Sequence, residues 1–185
     1  AALAQQPPPA EGDEAQLIAV LRSTDAPLFD RAKACQQLAL TGTKAAVPVL
    51  AGLLDDEEMA HYARYGLEPI PDASVDAALA QALGKLDGPL LVGVINSIAM
   101  RGKAESVDNL KKLLGNSDAQ VAAAAASALG RIHTPDAVAA LTKALHSATS
   151  QRPAMAAACL TAGDMLLSDG KKVEAAAVYD AVRAA

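Results

Sequence analysis

The segment from Glu57 to Glu68 holds most of the side chains in this sequence that could do chemistry. It contains two of the three tyrosines, one of the three histidines and an arginine. On a helix, His61, Arg64 and Glu68 have the spacing i, i+3, i+7 and therefore share a face. Such a face could form a polar contact patch for a partner. The alternative is a structural helix, in which Arg64 pairs with Glu68 and the tyrosines fill gaps left by alanines.

Patterns for metal binding and catalysis are weak in this sequence. Glu58 and His61 have the Glu-x-x-His spacing of di-iron bundles, but such sites need a second copy and further carboxylates. His133 and His146 stand near predicted helix ends, where the helix dipole favours a cation. The sequence has no Gly-x-Ser-x-Gly elbow, no Gly-rich phosphate loop and no Cys-x-x-Cys-His for haem. We therefore predict no catalytic residue, no metal and no cofactor.

Four aspartates recur at a single spacing, which indicates an array of similar structural units. Asp25, Asp56, Asp87 and Asp118 lie 31 residues apart, and Thr149 stands at the fifth position. All five are residues that can cap a helix by accepting a backbone N–H bond. The spacing predicts one helix start in each repeat. It favours a binding scaffold over an enzyme.

Two apolar columns follow nearly the same period and define the helices between the caps. In the first column, a small residue stands four positions before each larger one. Its larger members are Leu38, Leu67, Ile98, Leu129 and Leu160. The second column is Leu50, Leu79, Leu110 and Leu141. Because Gly and Pro separate the two columns, each repeat is predicted to be a pair of helices. The predicted helices are 14–22, 27–40, 44–55, 57–67, 73–86, 89–100, 104–115, 119–131, 135–147, 151–168 and 171–184.

The repeat resembles the HEAT class of α-solenoid, particularly its short bacterial form. The resemblance rests on Ala124–Ile132 followed by Asp136–Leu141, with similar blocks at Ala45–Leu50 and Ser106–Leu110. It covers residues 25–150 and implies an all-α, right-handed α-solenoid of about five two-helix repeats. Second helices of HEAT repeats usually line the concave surface, so the resemblance implies a polar patch there.

A narrower resemblance concerns His61–Pro69, which is similar to the second repeat of exported HEAT proteins from planctomycete-type bacteria. Those proteins are often fused to cytochrome-like or 3-keto-disaccharide hydrolase-type domains. The likeness implies an alternative to a free-standing interaction module, namely an accessory HEAT domain of a larger carbohydrate-active enzyme. A structural subunit of a multi-protein complex is a further alternative that stays open.

A polar column stands two residues before the first four members of the leucine column. It consists of Gln36, Tyr65, Asn96 and Ser127. Two interpretations stay open, a hydrogen-bonded ladder between repeats or one edge of a binding groove. We predict that the chain is a non-catalytic module that binds a protein, or further domains of its own polypeptide, through the concave face. The predicted binding residues are Arg31, Gln36, His61, Arg64, Tyr65, Glu68 and Asn96.

Composition and charge support an all-helical fold and argue against several classes of partner. Hydrophobic residues make up 52% of the 185 positions but aromatics only 2%, and 45 residues are alanine, the best helix former. The net charge is −5 and no large Lys/Arg cluster exists, which argues against nucleic acid. No apolar run approaches the roughly 20 residues of a membrane-spanning helix.

The N-terminus carries a possible export signal. Ala2–Ala4 has the A-x-A form of a signal-peptidase site, and Pro7–Pro9 resembles the linker that often follows. The sequence therefore favours a periplasmic or secreted protein, with a tail over 1–12 and a repeat domain over 13–185. An Ala/Pro-rich tail without export meaning, and hence a cytoplasmic protein, stays open. The apolar pattern at Val182–Ala185 predicts that the repeats continue or that a partner covers this end.

The two cysteines are predicted to be small core residues. Cys35 and Cys159 lie 124 residues apart, in the first and last repeats. Because distant repeats of a solenoid do not touch, we expect no disulfide between them. Both stand in apolar helical surroundings, where a thiol packs like a small hydrophobic side chain.

Overall fold

All regular secondary structure in the described part of the chain is helical, as the column periodicity predicts. The computed structural model describes residues 11–147 and 150–185. These ranges contain eleven α-helices: α1 Glu11–Arg22, α2 Leu28–Thr41, α3 Val47–Ala51, α4 Ala60–Leu67, α5 Ala73–Ala82, α6 Gly88–Arg101, α7 Val107–Leu113, α8 Ala119–Ile132, α9 Pro135–Ser147, α10 Arg152–Ser168 and α11 Lys172–Ala184. A 3-10 turn at Ala104–Ser106 leads into α7. The A-x-A site, the proline linker and Thr149 lie outside the described residues.

The eleven helices of the described residues correspond one to one with the predicted ones. Several helices are shorter than predicted, and in α3 and α4 local chemistry explains the difference. In α3, Pro48 stands in the first turn and Gly52 follows the last residue. The start of α4 moves to Ala60, because Asp56 Oδ1 accepts bonds from the backbone N–H groups of Glu58 (3.0 Å) and Met59 (3.1 Å). The residues before Ala60 therefore form a capped turn.

The chain divides into two compact units, with the boundary between Ala78 and Leu79, inside α5. In unit 1, α2 packs against α1 and α4, and α3 packs against α4. The buried Leu38 and Leu67 belong to the packed faces of α2 and α4. Gly66 allows close contact between these two helices, because a Cβ there would lie 3.1 Å from the carbonyl oxygen of Cys35.

In unit 2, Leu79–Ala185, helices two apart along the chain pack against each other, as α2 and α4 do in unit 1. Helix α8 packs against both α6 and α10, and α9 contacts α7, α8, α10 and α11. The predicted core residues Ile98 and Leu129 are buried. Gly130 allows a close approach of α8 and α10, because a Cβ there would lie 2.6 Å from the carbonyl oxygen of Ala158.

The prediction that the leucine column is buried is wrong at its last member, Leu160. Leu160 is 44% exposed, whereas Met155 and Cys159 form the buried i, i+4 pair of α10. The contact at Gly130 explains the difference, since it places Ala158 against α8. Met155 and Cys159 then face inward, and Leu160, one position on, is turned about 100° away around the helix.

The capping prediction is correct for some repeats and wrong for the first. Asp118 Oδ1 accepts bonds from the N–H groups of Gln120 (2.8 Å) and Val121 (3.4 Å) and caps α8, and Asp56 caps the turn before α4. Asp87 holds the N-cap position of α6, but its side chain makes no capping bond. Asp25 is not a cap, because α2 begins after Pro27, two residues further on.

Both cysteines are fully buried free thiols, in agreement with the predicted core role. Burial raises the pKa of the Cys35 thiol to about 11, against a smaller lowering effect of the Arg31 charge. Burial also raises the pKa of Cys159.

Candidate functional site

The polar segment identified in the sequence forms α4 and its flanks in unit 1. Ala63 and Leu67 bury one face of this short helix, and Gly66 lies against the backbone of α2. His61 is exposed, and its ring contacts Tyr62 edge-on with 5.5 Å between ring centroids. Tyr65 is 51% exposed. His61 and Tyr65 are four residues apart and therefore present adjacent side chains to solvent.

Arg64 and Glu68 are less accessible than His61 and Tyr65. Both are partly buried. Burial lowers the pKa of Arg64, and the negative charge of Glu68 acts in the opposite direction. The interaction with Glu68 matches the structural interpretation of this pair, in which the two side chains compensate each other's charge.

Arg31 forms an ion pair with Asp56 inside unit 1. One of its terminal guanidinium nitrogens lies 3.7 Å from Oδ2 of Asp56, the residue whose other oxygen caps the turn before α4. Its Nε is buried without a hydrogen-bond partner in the described chain. The guanidinium thus supports the α2–α4 packing by holding the Asp56 carboxylate.

The polar column does not form a ladder. Gln36, Tyr65, Asn96 and Ser127 are all exposed. Within the described part of each unit, none of the four side chains makes a hydrogen bond to another residue, so the ladder interpretation is wrong. Their positions two residues before buried core residues turn them away from the core.

Large exposed apolar residues accompany this column, and sequence reasoning missed them. Leu40 is 83% exposed and Met100 61% exposed, each four residues after a member of the polar column. Phe29 is 74% exposed and lies on the same stripe of α2 as Gln36 and Leu40, at i, i+7 and i+11. The i+4 spacing from the polar column is the signal that could have revealed Leu40 and Met100.

In each unit, exposed polar and apolar side chains occur on two helices that pack against each other, α2 with α4 and α6 with α8. The unit 1 face consists of Phe29, Gln36, Leu40 and Tyr65. The unit 2 face consists of Asn96, Met100, Ser127 and Arg131. On the unit 2 face, Nη2 of Arg131 lies 3.5 Å from the sulfur of Met100.

His133 and His146 lie at helix ends, as predicted from the sequence. His133 follows α8 in the left-handed conformation (φ 40°). Its Nδ1 donates to the carbonyl oxygen of Arg131 (2.6 Å), and Nε2 lies 3.1 Å from Oδ2 of Asp169. Hydrogen bonds from Lys171 and from His133 hold the pKa of Asp169 below its usual value. In the last turn of α9, His146 bonds to the Thr142 carbonyl oxygen.

Among the described residues, no three His, Cys, Asp or Glu side chains come together as potential metal ligands. No helix within residues 11–147 and 150–185 is long and apolar enough to cross a membrane.

The paired helices and their packing define an all-α repeat protein of the α-solenoid class. The sequence model described as HEAT repeats matches residues 67–161, which is more than half of the chain. The chain therefore belongs to the HEAT-repeat family. Proteins of this family generally mediate protein interaction or scaffolding.

The comparison with solved structures supports the same fold. A crystal structure of an engineered protein, a target of the Northeast Structural Genomics Consortium, is similar to this chain with a TM-score of 0.54. The two share 22% sequence identity, and the similarity covers 94% of each chain. At this identity the likeness shows the fold alone. No curated protein matches the chain.

Proposed function

We propose that this chain is a non-catalytic interaction module that binds a protein partner through the unit 1 face. The observation that carries the proposal is the exposure of Phe29 (74%) and Leu40 (83%) on α2 and of Tyr65 (51%) on α4, the helix that packs against α2. Large apolar side chains that contribute nothing to the core are typical of a binding surface when they cluster. The chain has four aromatic residues in total, and two of them lie on this face.

The chemistry of the face indicates what kind of partner it fits. Phe29, Leu40 and the Tyr65 ring offer apolar contact area, and few such residues supply most of the energy in protein interfaces. The Gln36 amide and the Tyr65 hydroxyl make no hydrogen bonds within the described chain, so they are available to backbone groups of a partner. A peptide segment with exposed apolar side chains satisfies both kinds of contact.

The test is a cross-linking pull-down with the native partner, comparing the wild type with Phe29→Ser/Leu40→Ser. We expect at least a tenfold loss of binding, because truncating a central anchor costs about 2 kcal/mol or more. Both residues are exposed, so the variant should retain the fold, which circular dichroism checks. The matched control is Val173→Ser, which removes an 81% exposed apolar side chain on α11. Unchanged binding by the double variant, or equal loss in the control, would refute the assignment.

A further inference from the structure

A cavity of about 430 Å³ lies between α9 and α11 in unit 2, and none of its lining residues belongs to the unit 2 face. Buried Leu166 and Val178 and the partly buried Val138 supply its largest apolar side chains. Ala139 and Ala177 also line it, and their small side chains leave the space open. The volume falls within the range of about 300–1,000 Å³ that is usual for small-molecule sites.

The polar groups at the cavity differ in whether they are available to a ligand. The Thr142 hydroxyl donates to the Val138 carbonyl oxygen (2.9 Å). The Lys171 ammonium donates to Asp169 (3.0 Å), which neutralises its charge locally. Glu174 is exposed, and its carboxylate makes no hydrogen bond or ion pair with any residue that the structure describes. The one unpaired charge at the cavity is therefore negative.

We propose that this cavity binds a small amphiphilic amine, with its apolar body between α9 and α11 and its ammonium group at Glu174. An apolar lining with a single unpaired carboxylate complements a ligand with an apolar body and one cationic end. A fatty acid of the same shape would place its carboxylate beside Glu174 and be repelled. The site is independent of the unit 1 face, and its ligand is a small molecule instead of a protein.

The test uses two probes of equal shape and opposite charge, 4-phenylbutylamine and 4-phenylbutyrate. Each is titrated at low ionic strength into ¹⁵N-labelled full chain, and amide shifts are followed by NMR. We expect saturable shifts at Val138, Ala139 and Ala177 with the amine. The acid should bind about fivefold more weakly, because an exposed ion pair contributes only modestly.

Two variants and their controls separate the apolar and the ionic parts of the site. Ala177→Leu fills the cavity and should abolish the shifts with both probes, whereas Ala157→Leu, at an exposed alanine of α10 outside the cavity, should not. Glu174→Gln should make the amine bind as weakly as the acid, whereas Glu105→Gln, at another exposed glutamate, should leave the preference intact.

Four results would each overturn the proposal. They are the absence of saturable shifts with the amine, equal binding of the two probes by the wild type, and undiminished binding by Ala177→Leu. The fourth is a change of the α9 and α11 amide signals on simple dilution, which would mean that a second copy of the chain occupies the cavity. The amide spectrum of each variant shows directly whether it is folded.

Discussion

At Cys35, burial and a neighbouring charge act on the thiol in opposite directions. Burial disfavours the thiolate, and the Arg31 charge favours it. Burial dominates, because the Arg31 guanidinium is directed to Asp56 and the thiol is inaccessible to water. The result is a pKa of about 11. Cys159 lacks a comparable cation, and burial alone raises its pKa.

The first prediction concerns the reactivity of these thiols. Near pH 8 the folded chain should react very slowly with Ellman's reagent, because a pKa of about 11 leaves roughly one Cys35 thiol in a thousand ionised. Unfolding in concentrated urea should release both thiols to rapid reaction. The absorbance of the released thiolate measures the count. Rapid titration of either thiol in the folded chain would show that burial does not control its chemistry.

Among the candidate site residues, sequence reasoning identified polar positions better than apolar ones. Gln36, Tyr65 and Asn96 are exposed, as expected for positions that precede buried core residues. Phe29 and Leu40 were not identified, because an apolar residue on a helix is normally assigned to the core. Whether it is covered depends on which neighbouring helix lies over it, and this information is not local to the sequence.

At the scale of the elements, glycines control how closely stacked helices approach. Gly66 faces the backbone of α2, and Gly130 faces the backbone of α10. The contact at Gly130 is the tighter one, since the obstructing atom is a backbone oxygen 2.6 Å away. A backbone atom of a packed helix cannot move aside as a flexible side chain can.

We predict that Gly130→Ala destabilises the chain by about 1–3 kcal/mol, the usual cost of overpacking. This cost exceeds the gain of up to about 1 kcal/mol that alanine brings to a helix interior. The control is Gly115→Ala, where a Cβ meets no atom within 4 Å. Urea unfolding followed by circular dichroism measures both. Equal midpoints for the two variants would contradict the close contact.

The same contact explains why the helices could be predicted but the register of α10 could not. The repeat period, together with local turn signals and apolar stripes, located the described helices, because these signals are local to the sequence. At Met155, Cys159 and Leu160, two registers are about equally apolar in the sequence. The choice between them is made by the backbone contact at Gly130, which involves residues 28 positions apart.

At the scale of the whole molecule, charge and exposed apolar area act together on solubility. The net charge is −5 at pH 7 and the isoelectric point of the sequence is about 5.1. Near that pH the net repulsion between copies disappears, and association through exposed apolar residues is no longer opposed. Phe29 and Leu40 are among the most exposed of those residues.

We therefore predict a solubility minimum near pH 5, measured as turbidity across a pH series at constant protein concentration. Phe29→Ser/Leu40→Ser should reduce the turbidity at the minimum without moving its pH, because it changes apolar area and not charge. Val173→Ser again serves as the comparison. A minimum that shifts with the double variant would indicate a change of charge state instead.

Helices α6 and α8 end in the same way. Gly102 (φ 63°) donates its N–H to Ile98 (3.0 Å), and His133 (φ 40°), 31 residues later, donates its N–H to Leu129 (2.9 Å). Gly102 adopts this conformation at no steric cost, whereas a side chain there costs about 1 kcal/mol or more. Because α6 and α8 end with the same backbone geometry, residues 103–133 form one complete repeat unit of the chain. A second copy of this unit inserted after His133 would connect to the residues before and after it through a helix end that the fold already contains.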